Sequence, residues 1–573
     1  MPNYKLQHAG TNVSISDKDY VADGGEGTIY TQGGTAYKVC HPGKMMPEGK
    51  IAELLPLAKE KHIIVPQDIL LDSKNKKVGY TMTFIPQNKC WPLAQTFTNS
   101  FKQREGLDSQ SVLDMIDFMK KSIDFIHSNR ILVVDMNEFN FLVSKKFDKV
   151  YFIDTNSYQT KSYPATAIMD SIRDRHTKGF NELSDWFSFG IISFEMLIGI
   201  HPFRGGSHPK FTDGSVDERM NNRMLANASI LAKDAKYPKG AVQPFTVIPQ
   251  SYMEWYKAIF EQGKRVPPPA DFSGHVIVVV TPTLSSDSLE LKVYKTFDDV
   301  VTDYSIIDGR EIITTGVKNK KLWFGTDSYA LPKQMSIVHH NGKLIGVSCD
   351  NTIEFYDVFA KKKMDFPAFN MNASQIMSYD NRVYAQCGDR IVEILFNSIG
   401  LNVIPSPHIV GHTSENSTKM FNGLTIQNWF GTNFISVFPE SKKCFQFKVS
   451  ELDKHVVIDG EFNNGVAVIS SRMPSTNKFY RHIIKFNPDF SGYVISSIDK
   501  PAPVDVNYTV LDNGVTVLLN EENDLELFHK ATNSTSVKLV EDKALSGNVM
   551  LYSKGAKVLI AKGEKLYEAS LKK

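Results

Sequence analysis

The spacing of apolar residues divides the chain into two parts with different predicted elements. In the first part, apolar residues recur on one helical face between positions 112 and 126, which predicts an amphipathic helix. Positions 186–200 are apolar nearly all round, as expected for a helix at the centre of a domain. Short apolar runs bounded by polar turns predict strands at 78–84, 131–134 and 150–153. Three consecutive prolines at 267–269 end this pattern, so we place a domain boundary after residue 270.

The second part of the chain shows a loose internal repeat. From about residue 273, helical spacing gives way to short alternating strands separated by Asn-Gly and Asp-Gly turns. Four stretches share the order strand, turn, strand, polar turn, strand: 336–358, 376–396, 509–530 and 549–571. The repeat length of about 40 residues is typical of β-propeller blades. We therefore predict a β-propeller of six or seven blades over residues 271–573, with a β-sandwich or two stacked β domains as the alternative.

The length and composition fit two folded domains. A chain of 573 residues exceeds the ~250–300 residues at which a single core stops growing. Hydrophobic residues make up 42% and charged residues 22%, so each half can bury a core. We therefore expect residues 1–270 and 271–573 to form independent cores, with few contacts across their boundary. The net charge of +2 does not indicate a nucleic-acid partner or an anionic membrane surface.

Cysteine usage and hydropathy favour a cytoplasmic location. No pair of the five cysteines has the spacing of metal ligands, so we expect reduced thiols. The N-terminus lacks a signal-like apolar run, and the longest apolar stretch, within 189–200, is too short to span a bilayer. We therefore expect no membrane partner. The frequent Asn, Lys, Ile and Phe residues are typical of an AT-rich genome, and for a viral source the compartment would be the host cytoplasm.

A glycine-rich stretch and a lysine near the N-terminus are candidates for binding phosphate. Gly24, Gly25 and Gly27 would let backbone N–H groups approach a phosphate closely and would allow positive φ. An ordinary Asp-Gly-Gly hairpin turn explains the glycines equally well. Lys38 follows on a short strand, from which its ammonium group could reach the α- and β-phosphates of a nucleotide. The alternative is a solvated surface lysine.

A glutamate could orient this lysine. The pattern predicts a helix starting at Pro47, because proline suits the first helical turn. Glu53 lies in the middle of this helix and could pair with Lys38. Glu48 is a rival for the same role, and Glu53 as a plain exposed glutamate is a further alternative.

Three polar residues stand at the ends of predicted strands. Asp135 closes one strand, and Asn140 opens the next strand five positions later. Asp154 directly follows another buried strand. Carboxylate and amide oxygens are the ligands that Mg²⁺ prefers, and polar groups in such places are costly unless they are paired or bound to metal. Turn capping explains any one of these residues, but it explains the ordered set less well.

These residues belong to two runs that resemble a known family. The runs VVDMNEFNFLV at 133–143 and VYFIDTNSYQ at 150–159 resemble a divergent bacterial and phage branch of protein-kinase-like domains. Members of that branch are often fused to helix-hairpin-helix tails. The resemblance covers about residues 15–270 and includes 184–190, similar to the kinase central helix, and the His-Pro-Phe at 201–203.

The resemblance implies a bilobal, ATP- and Mg²⁺-binding domain and a role for each candidate residue. Lys38 would bind the phosphates, and Asp135 would orient the acceptor hydroxyl. Asn140 and Asp154 would hold Mg²⁺. Arg265 stands where kinases have a structural arginine near the end of the domain.

The chain departs from the family pattern in four respects. Ala22 replaces the first glycine of the loop, and Val133 and Val134 replace the usual His-Arg. Asn137 replaces the usual lysine. Thr155-Asn156 replaces the usual Phe-Gly, and no Ala-Pro-Glu follows it. Loss of the lysine removes one stabiliser of the transferring charge, an effect that elsewhere costs ~10²–10³ in rate. The helix-hairpin-helix tail is absent, so DNA binding is not implied.

Two hypotheses about function follow. The first is a Ser/Thr-type protein kinase that transfers the γ-phosphoryl group of Mg-ATP to a protein target recruited by the propeller. It depends on Lys38, Asp135, Asn140 and Asp154 being present together. The alternative is a pseudokinase scaffold, or a nucleotide-binding interaction protein, without phosphoryl transfer. It depends on Asn137 and on the altered segment after Asp154.

Overall fold

The N-terminal part begins with a seven-stranded antiparallel sheet of strand order β2-β1-β6-β7-β5-β4-β3. The computed structural model describes residues 3–165, 168–237, 242–272, 286–317, 319–400, 402–476, 478–500, 505–529 and 538–572. The strands are β1 (Asn3–Leu6), β2 (Asn12–Ser14), β3 (Tyr20–Asp23), β4 (Gly27–Gln32), β5 (Thr35–Cys40), β6 (Asp68–Leu71) and β7 (Lys77–Thr83). Helix α1 (Glu48–Leu54) lies between β5 and β6 in sequence and begins directly after Pro47, as predicted.

Helices and a small sheet follow. The helices are α2 (Asn99–Glu105), α3 (Ser109–Ser128), α4 (Glu182–Ile198), α5 (Val216–Leu225) and α6 (Gln250–Phe260). The sheet has the order β10-β9-β8 and consists of β8 (Cys90–Pro92), β9 (Phe141–Ser144) and β10 (Val150–Phe152). One apolar core joins α1, the first sheet and these helices, and α4 lies almost wholly buried within it. Within the described residues, no helix is both long and apolar enough to cross a membrane.

Most predicted elements of this part are present, with one exception. The predicted helix 112–126 lies inside α3, and the predicted helix 186–200 overlaps α4, which ends at the left-handed Gly199. The predicted strand at 131–134 is wrong. These four residues are described, and they form an irregular segment with a single bridge from Leu132 to Gln159. The reason is that the backbone N–H groups of Val133 and Val134 donate to the Asp185 carboxylate instead of to a neighbouring strand.

Arg265 forms a buried ion pair within this part. Its guanidinium donates from Nε to Asp174 Oδ2 at 2.6 Å and from Nη2 to Asp174 Oδ1 at 2.7 Å. The same group lies 4.5 Å from the centroid of the Phe187 ring. The Asp174 side chain has no exposed surface, so Arg265 neutralises a fully buried charge. Pairing with Asp174 was not foreseen from the sequence.

Replacing Arg265 with methionine is expected to lower the free energy of unfolding by about 3–5 kcal/mol, because the Asp174 carboxylate would remain buried without its partner. The control is Arg390→Met, which removes a surface arginine whose contact with Asp389 is 3.7 Å and largely exposed. That change should cost about 0–1 kcal/mol. Urea titration of both variants measures the difference, and equal losses would contradict a structural role for Arg265.

The described residues of the C-terminal part form seven four-stranded antiparallel sheets. The first sheet consists of β12 (Val301–Ile307), β13 (Arg310–Thr315), β14 (Lys321–Phe324) and β15 (Asp327–Ala330). The second consists of β16 (Ser336–His340), β17 (Lys343–Asp350), β18 (Thr352–Asp357) and β19 (Lys362–Met364). The third consists of β20 (Gln375–Tyr379), β21 (Arg382–Cys387), β22 (Arg390–Ile399) and β23 (Asn402–His412). The fourth and fifth are β24 (Thr418–Phe421), β25 (Leu424–Trp429), β26 (Thr432–Val437) and β27 (Phe445–Lys448); and β28 (Val456–Asn463), β29 (Val466–Met473), β30 (Lys478–Phe486) and β31 (Tyr493–Lys500).

The last two sheets show how the C-terminal part closes. The sixth sheet is β32 (Tyr508–Val510), β33 (Val515–Leu519), β34 (Leu525–His529) and β35 (Lys538–Val540). The seventh combines β36 (Met550–Lys554), β37 (Lys557–Lys562) and β38 (Lys565–Leu571) with β11 (Leu289–Thr296), which precedes the first sheet in sequence. Apolar clusters join each sheet to the next and the seventh to the first, so the sheets form a closed ring. Each of the four predicted repeats supplies three consecutive strands of one sheet.

The expectation of few contacts between the two parts is wrong. Helix α2 lies against the first strands of several ring sheets, where Arg104 pairs with Asp459 at 3.5 Å and with Asp505 at 3.3 Å. Ser100 donates to Asp505 at 2.8 Å, and Gln103 donates to the carbonyl of Val301 at 2.9 Å. Burial raises the pKa of Asp505, and the charge of Arg104 opposes this effect. Buried carboxylates need a counter-ion. For Asp505 and Asp459 of the ring, this counter-ion is Arg104 of the N-terminal part.

Candidate functional site

The three polar residues predicted at strand ends lie together. Strands β9 and β10 are antiparallel with Phe141 opposite Phe152, so the residue before β9 and the residues after β10 share one end of the ladder. There the backbone N–H of Ile153 donates to the carbonyl of Asn140 at 3.0 Å, which brings Asp154 beside Asn140. The Nδ2 atom of Asn140 donates to the carbonyl of Asp135 at 2.8 Å. The structure thus gathers Asp135, Asn140 and Asp154 at one edge.

The Asp135 carboxylate is held by hydrogen bonds on both oxygens. Oδ1 accepts from the backbone N–H of Met169 at 2.9 Å, and Oδ2 accepts from Asn137 Nδ2 at 2.9 Å and from Asn140 Nδ2 at 3.4 Å. Burial raises the pKa of Asp135, while these hydrogen bonds favour the charged form and oppose the rise. Asn137, which stands where kinases have a lysine, therefore orients this carboxylate.

The turn before Asp135 is strained and is held by a buried aspartate. Val134 has φ of 63°, a left-handed conformation that is an outlier for a β-branched residue. Asp185, at the start of α4, accepts from the N–H groups of Val133 at 2.7 Å and Val134 at 3.0 Å, and it contacts His127 Nε2 at 2.9 Å. Sequence reasoning noted the segment 184–190 but missed this role of Asp185. The carboxylate fixes the backbone that presents Asp135.

Lys38 pairs with a glutamate that was not predicted. Among the described residues, its ion-pair partner is Glu26 of the glycine-rich stretch, at 2.7 Å. Glu26 also accepts from Asn156 Nδ2 at 2.6 Å, which ties the stretch to the segment after Asp154. Burial opposes the charged ammonium, but its interactions with Tyr80 and with the Glu26 carboxylate outweigh this effect and raise the pKa of Lys38. The lysine is therefore a cation at neutral pH.

The predicted pairing of Lys38 with Glu53 is wrong. Glu53 accepts from the backbone N–H of Ser162 at 3.1 Å, and the rival Glu48 binds Gln7 Nε2 at 2.6 Å and the ammonium of Lys77. The physical reason is that Lys38 is already paired with Glu26, while both glutamates of α1 are occupied by other partners. The assignment of Glu53 to nucleotide binding thereby loses the contact on which it depended.

A second lysine reaches the site from α1 and was missed. Lys50 is buried, and its ammonium donates to the carbonyl of Asn156 at 2.7 Å. Burial lowers the pKa of Lys50, and the nearby charges of Asp154 and Glu26 oppose this effect. The sequence carried a signal, because Lys50 lies four positions before Leu54 and so shares its buried helical face.

The three glycines have different surroundings. A Cβ atom at Gly27 would lie 2.4 Å from the carbonyl oxygen of Val39, so this position requires glycine for close packing against β5. Gly24 and Gly25 have room for a side chain, and none of the three glycines adopts positive φ. The N–H of Gly24 donates to the carbonyl of Gly27 at 3.1 Å, which closes the turn. The possibility of positive φ considered from the sequence is therefore not realised.

The donor set at this edge fits a magnesium ion held together with a nucleotide. Asn140 uses Nδ2 toward Asp135, so Oδ1 is the atom of this amide that could bind a metal. Burial raises the pKa of Asp154, whereas the charge of Lys38 lowers it. No group of three or more His, Cys, Asp or Glu residues in the described part of the chain is arranged to hold a metal. Asn140 and Asp154 would supply two oxygens, and phosphates and water the others, as is usual for Mg²⁺.

Comparisons with known proteins give a distant, partial similarity to protein kinases. No protein-family model matches the chain. A probable serine/threonine-protein kinase of Dictyostelium discoideum is 23% identical over 129 residues, which are 22% of this chain and 10% of that protein. The chain thus spans about a tenth of the length of this curated relative.

Two solved structures were also found at low similarity. Hsv2 of Kluyveromyces lactis is 13% identical, with a TM-score of 0.31 over 48% of this chain and 98% of that chain. The kinase PK-1 of the Cydia pomonella granulovirus is 12% identical, with a TM-score of 0.30 over 42% of this chain and 88% of that chain. The likeness to a phage branch stays a prediction. What the sequence comparison supports is a weak likeness of part of the chain to a serine/threonine-protein kinase.

Proposed function

We propose that this protein is a protein-kinase-like phosphotransferase that moves the γ-phosphoryl group of Mg-ATP to a Ser or Thr hydroxyl of a protein target. The observation that carries the proposal is the gathering of Asp135, Asn140 and Asp154 at the end of β9 and β10. Lys38, which pairs with Glu26, and Lys50, which donates to the carbonyl of Asn156, both lie near enough to Asp154 to feel its charge. Phosphoryl transfer needs these parts: cations for the phosphates, oxygens for the metal, and an acceptor for the hydroxyl proton.

Each residue has a distinct role in the proposed reaction. The ammonium of Lys38, kept charged by its surroundings, would bind phosphate oxygens of the nucleotide. Asn140 Oδ1 and the Asp154 carboxylate would hold Mg²⁺, which neutralises charge on the phosphates when bound. Asp135 would accept a hydrogen bond from the acceptor hydroxyl and then its proton. The hydroxyl oxygen bonds to the γ-phosphorus as the bond to the bridging oxygen of ADP breaks.

We further propose that the N-terminal part is a bilobal kinase-like domain and that the ring is a seven-bladed propeller. The seven-stranded sheet with α1 forms the smaller lobe, and the helices around α4 form the larger one. The closed order of seven four-stranded sheets supports the propeller assignment. Its surface loops would recruit the protein target.

A pseudokinase scaffold is the second candidate function. It is favoured by Asn137, because both oxygens of Asp135 already accept hydrogen bonds from the protein. Asn137 also brings no positive charge to the transferring phosphoryl group. In this case the protein would bind nucleotide, or none, and act through partners on the ring.

Incubation with ATP labelled in the γ-phosphate distinguishes the two functions. In the presence of Mg²⁺ or Mn²⁺, the full-length protein is expected to label itself or a protein in a lysate, and mass spectrometry should identify phosphoserine or phosphothreonine. Lys38→Met serves as the control for background, since it removes the phosphate-binding cation. If the protein binds Mg-ATP but no label is transferred to any protein, the scaffold function replaces the kinase function.

A further inference from the structure

A cross-strand pair of the ring contacts the loop that carries Asp135 and Asn140. In the fifth sheet, Arg472 of β29 stands directly opposite Phe479 of β30. The Phe479 ring stacks on Phe139, with 5.6 Å between ring centroids and 28° between the ring planes. The guanidinium carbon of Arg472 lies 4.1 Å from the centroid of the same Phe139 ring. Arg472 and Phe479 of the C-terminal part thus hold the side chain of Phe139, which lies between Asp135 and Asn140 in sequence.

This contact reaches Asp135 through two hydrogen bonds. The backbone N–H of Phe139 donates to Asn137 Oδ1 at 3.0 Å. The other end of that amide, Nδ2, donates to the Asp135 carboxylate at 2.9 Å. The position of Phe139 therefore determines the orientation of Asn137, and Asn137 determines that of Asp135.

Arg472 also supplies a positive charge, which residues 135–140 lack. Residues 135–140 contain two acids, Asp135 and Glu138, and no basic residue. Burial raises the pKa of Glu138, and the charges of Arg472 and Arg204 oppose the rise. Arg472 is thus a cation from the ring at the acidic loop, held there by its stacking on an aromatic face.

We propose that Arg472 and Phe479 are positioning residues of the phosphotransfer site, so that the ring completes the catalytic loop in addition to any recruitment of a target. This inference rests on the proposed kinase function. A displacement of reacting groups by about 1 Å can cost ~10²-fold in rate, and the grip on Phe139 prevents such a displacement of Asp135. The acceptor hydroxyl would meet a loop whose geometry is set by both parts of the chain.

The test uses the full-length protein and removes the charge of Arg472 while keeping an unbranched side chain. Arg472→Met is expected to lower kcat for a generic Ser/Thr peptide by about 10–100-fold, while the Kd of Mg-ATP stays within about twofold. Arg472→Lys keeps a cation over the Phe139 ring and should restore most of kcat. The matched control is Arg310→Met, which removes a cation 5.4 Å from the Phe324 ring within the first ring sheet and should leave kcat unchanged.

A second variant tests the same contact from the other side. Phe139→Leu should lower kcat to a similar extent, and adding Arg472→Met to it should cause little further loss, because residues acting through one contact are not additive. If the wild-type protein transfers phosphate and Arg472→Met has an undiminished kcat, the positioning role is overturned while the kinase function stands. Independent, additive losses in the double variant would also overturn it. A wild-type protein that transfers no phosphate removes the proposed function and this inference with it.

Discussion

Asp135→Ala is expected to abolish phosphoryl transfer while the affinity for Mg-ATP changes by no more than a few-fold. Asp135 is assigned to the acceptor hydroxyl and not to the nucleotide, so its loss should act on kcat. Removal of a positioned proton acceptor costs about 10²–10⁴-fold in rate. The variant also frees Asn137 and the N–H of Met169 from their contacts with the carboxylate, which adds local disorder but no change at Lys38.

The experiment pairs single-turnover kinetics with calorimetric titration of Mg-ATP. Asp148→Ala is a suitable control, because Asp148 lies in the exposed turn between β9 and β10, where it contacts Ser144. That variant should retain both activity and affinity. Retention of transfer by Asp135→Ala would show that another group accepts the proton, whereas a parallel loss of nucleotide affinity would mean that Asp135 belongs to the nucleotide site.

Asp154→Asn is expected to remove the contribution of Mg²⁺ to nucleotide binding and to leave the fold intact. The change deletes the one charged oxygen ligand of the proposed metal site, while the isosteric amide keeps the local packing. Affinity for ATP in the presence of Mg²⁺ should fall by at least about tenfold, or about 1.4 kcal/mol. Affinity measured with EDTA should not fall, because Lys38 and Lys50 remain and lose a competing negative charge.

Calorimetry with and without Mg²⁺ separates metal binding from nucleotide binding. Asp148→Asn is the matched control, because it removes a carboxylate in the exposed turn between β9 and β10 and should leave the dependence on Mg²⁺ unchanged. An Asp154→Asn protein with the wild-type affinity for Mg-ATP would refute the assignment of Asp154 to the metal.

The candidate site was predictable where a side chain follows directly from a strand end. Asp154 and Asn140 could be placed together because each flanks a short apolar strand, and the ladder between β9 and β10 fixes their distance. Glu26 and Asp185 could not be placed in this way. Their partners lie 12 and about 50 residues away in sequence, and the contacts exist only after the sheet and α4 have packed.

The ring was predictable from its inner strands but not from its outer ones. The repeats identified in the sequence match three strands of a sheet, because those strands carry a recognisable apolar pattern. Strand β17 is buried along its middle, and β18 alternates buried and less buried residues. The fourth strands β19 and β35 have three residues each, too few to show a pattern. Strand β11 pairs with β38, which lies at the other end of the C-terminal part in sequence. The contacts of α2 with the ring could not be predicted, because its polar residues resemble an exposed surface and are in fact buried.

The seating of α2 on the ring has a consequence for how this architecture can be inherited. A chain of two self-sufficient domains can be reshuffled, with either domain exchanged for another. Here exchange of the ring would leave Arg104, Ser100 and Gln103 without their partners. Each buried polar group left without a hydrogen bond costs about 1–3 kcal/mol. The two parts of the chain should therefore be inherited together as one unit. Substitutions in α2 should co-vary with those at Asp459 and Asp505.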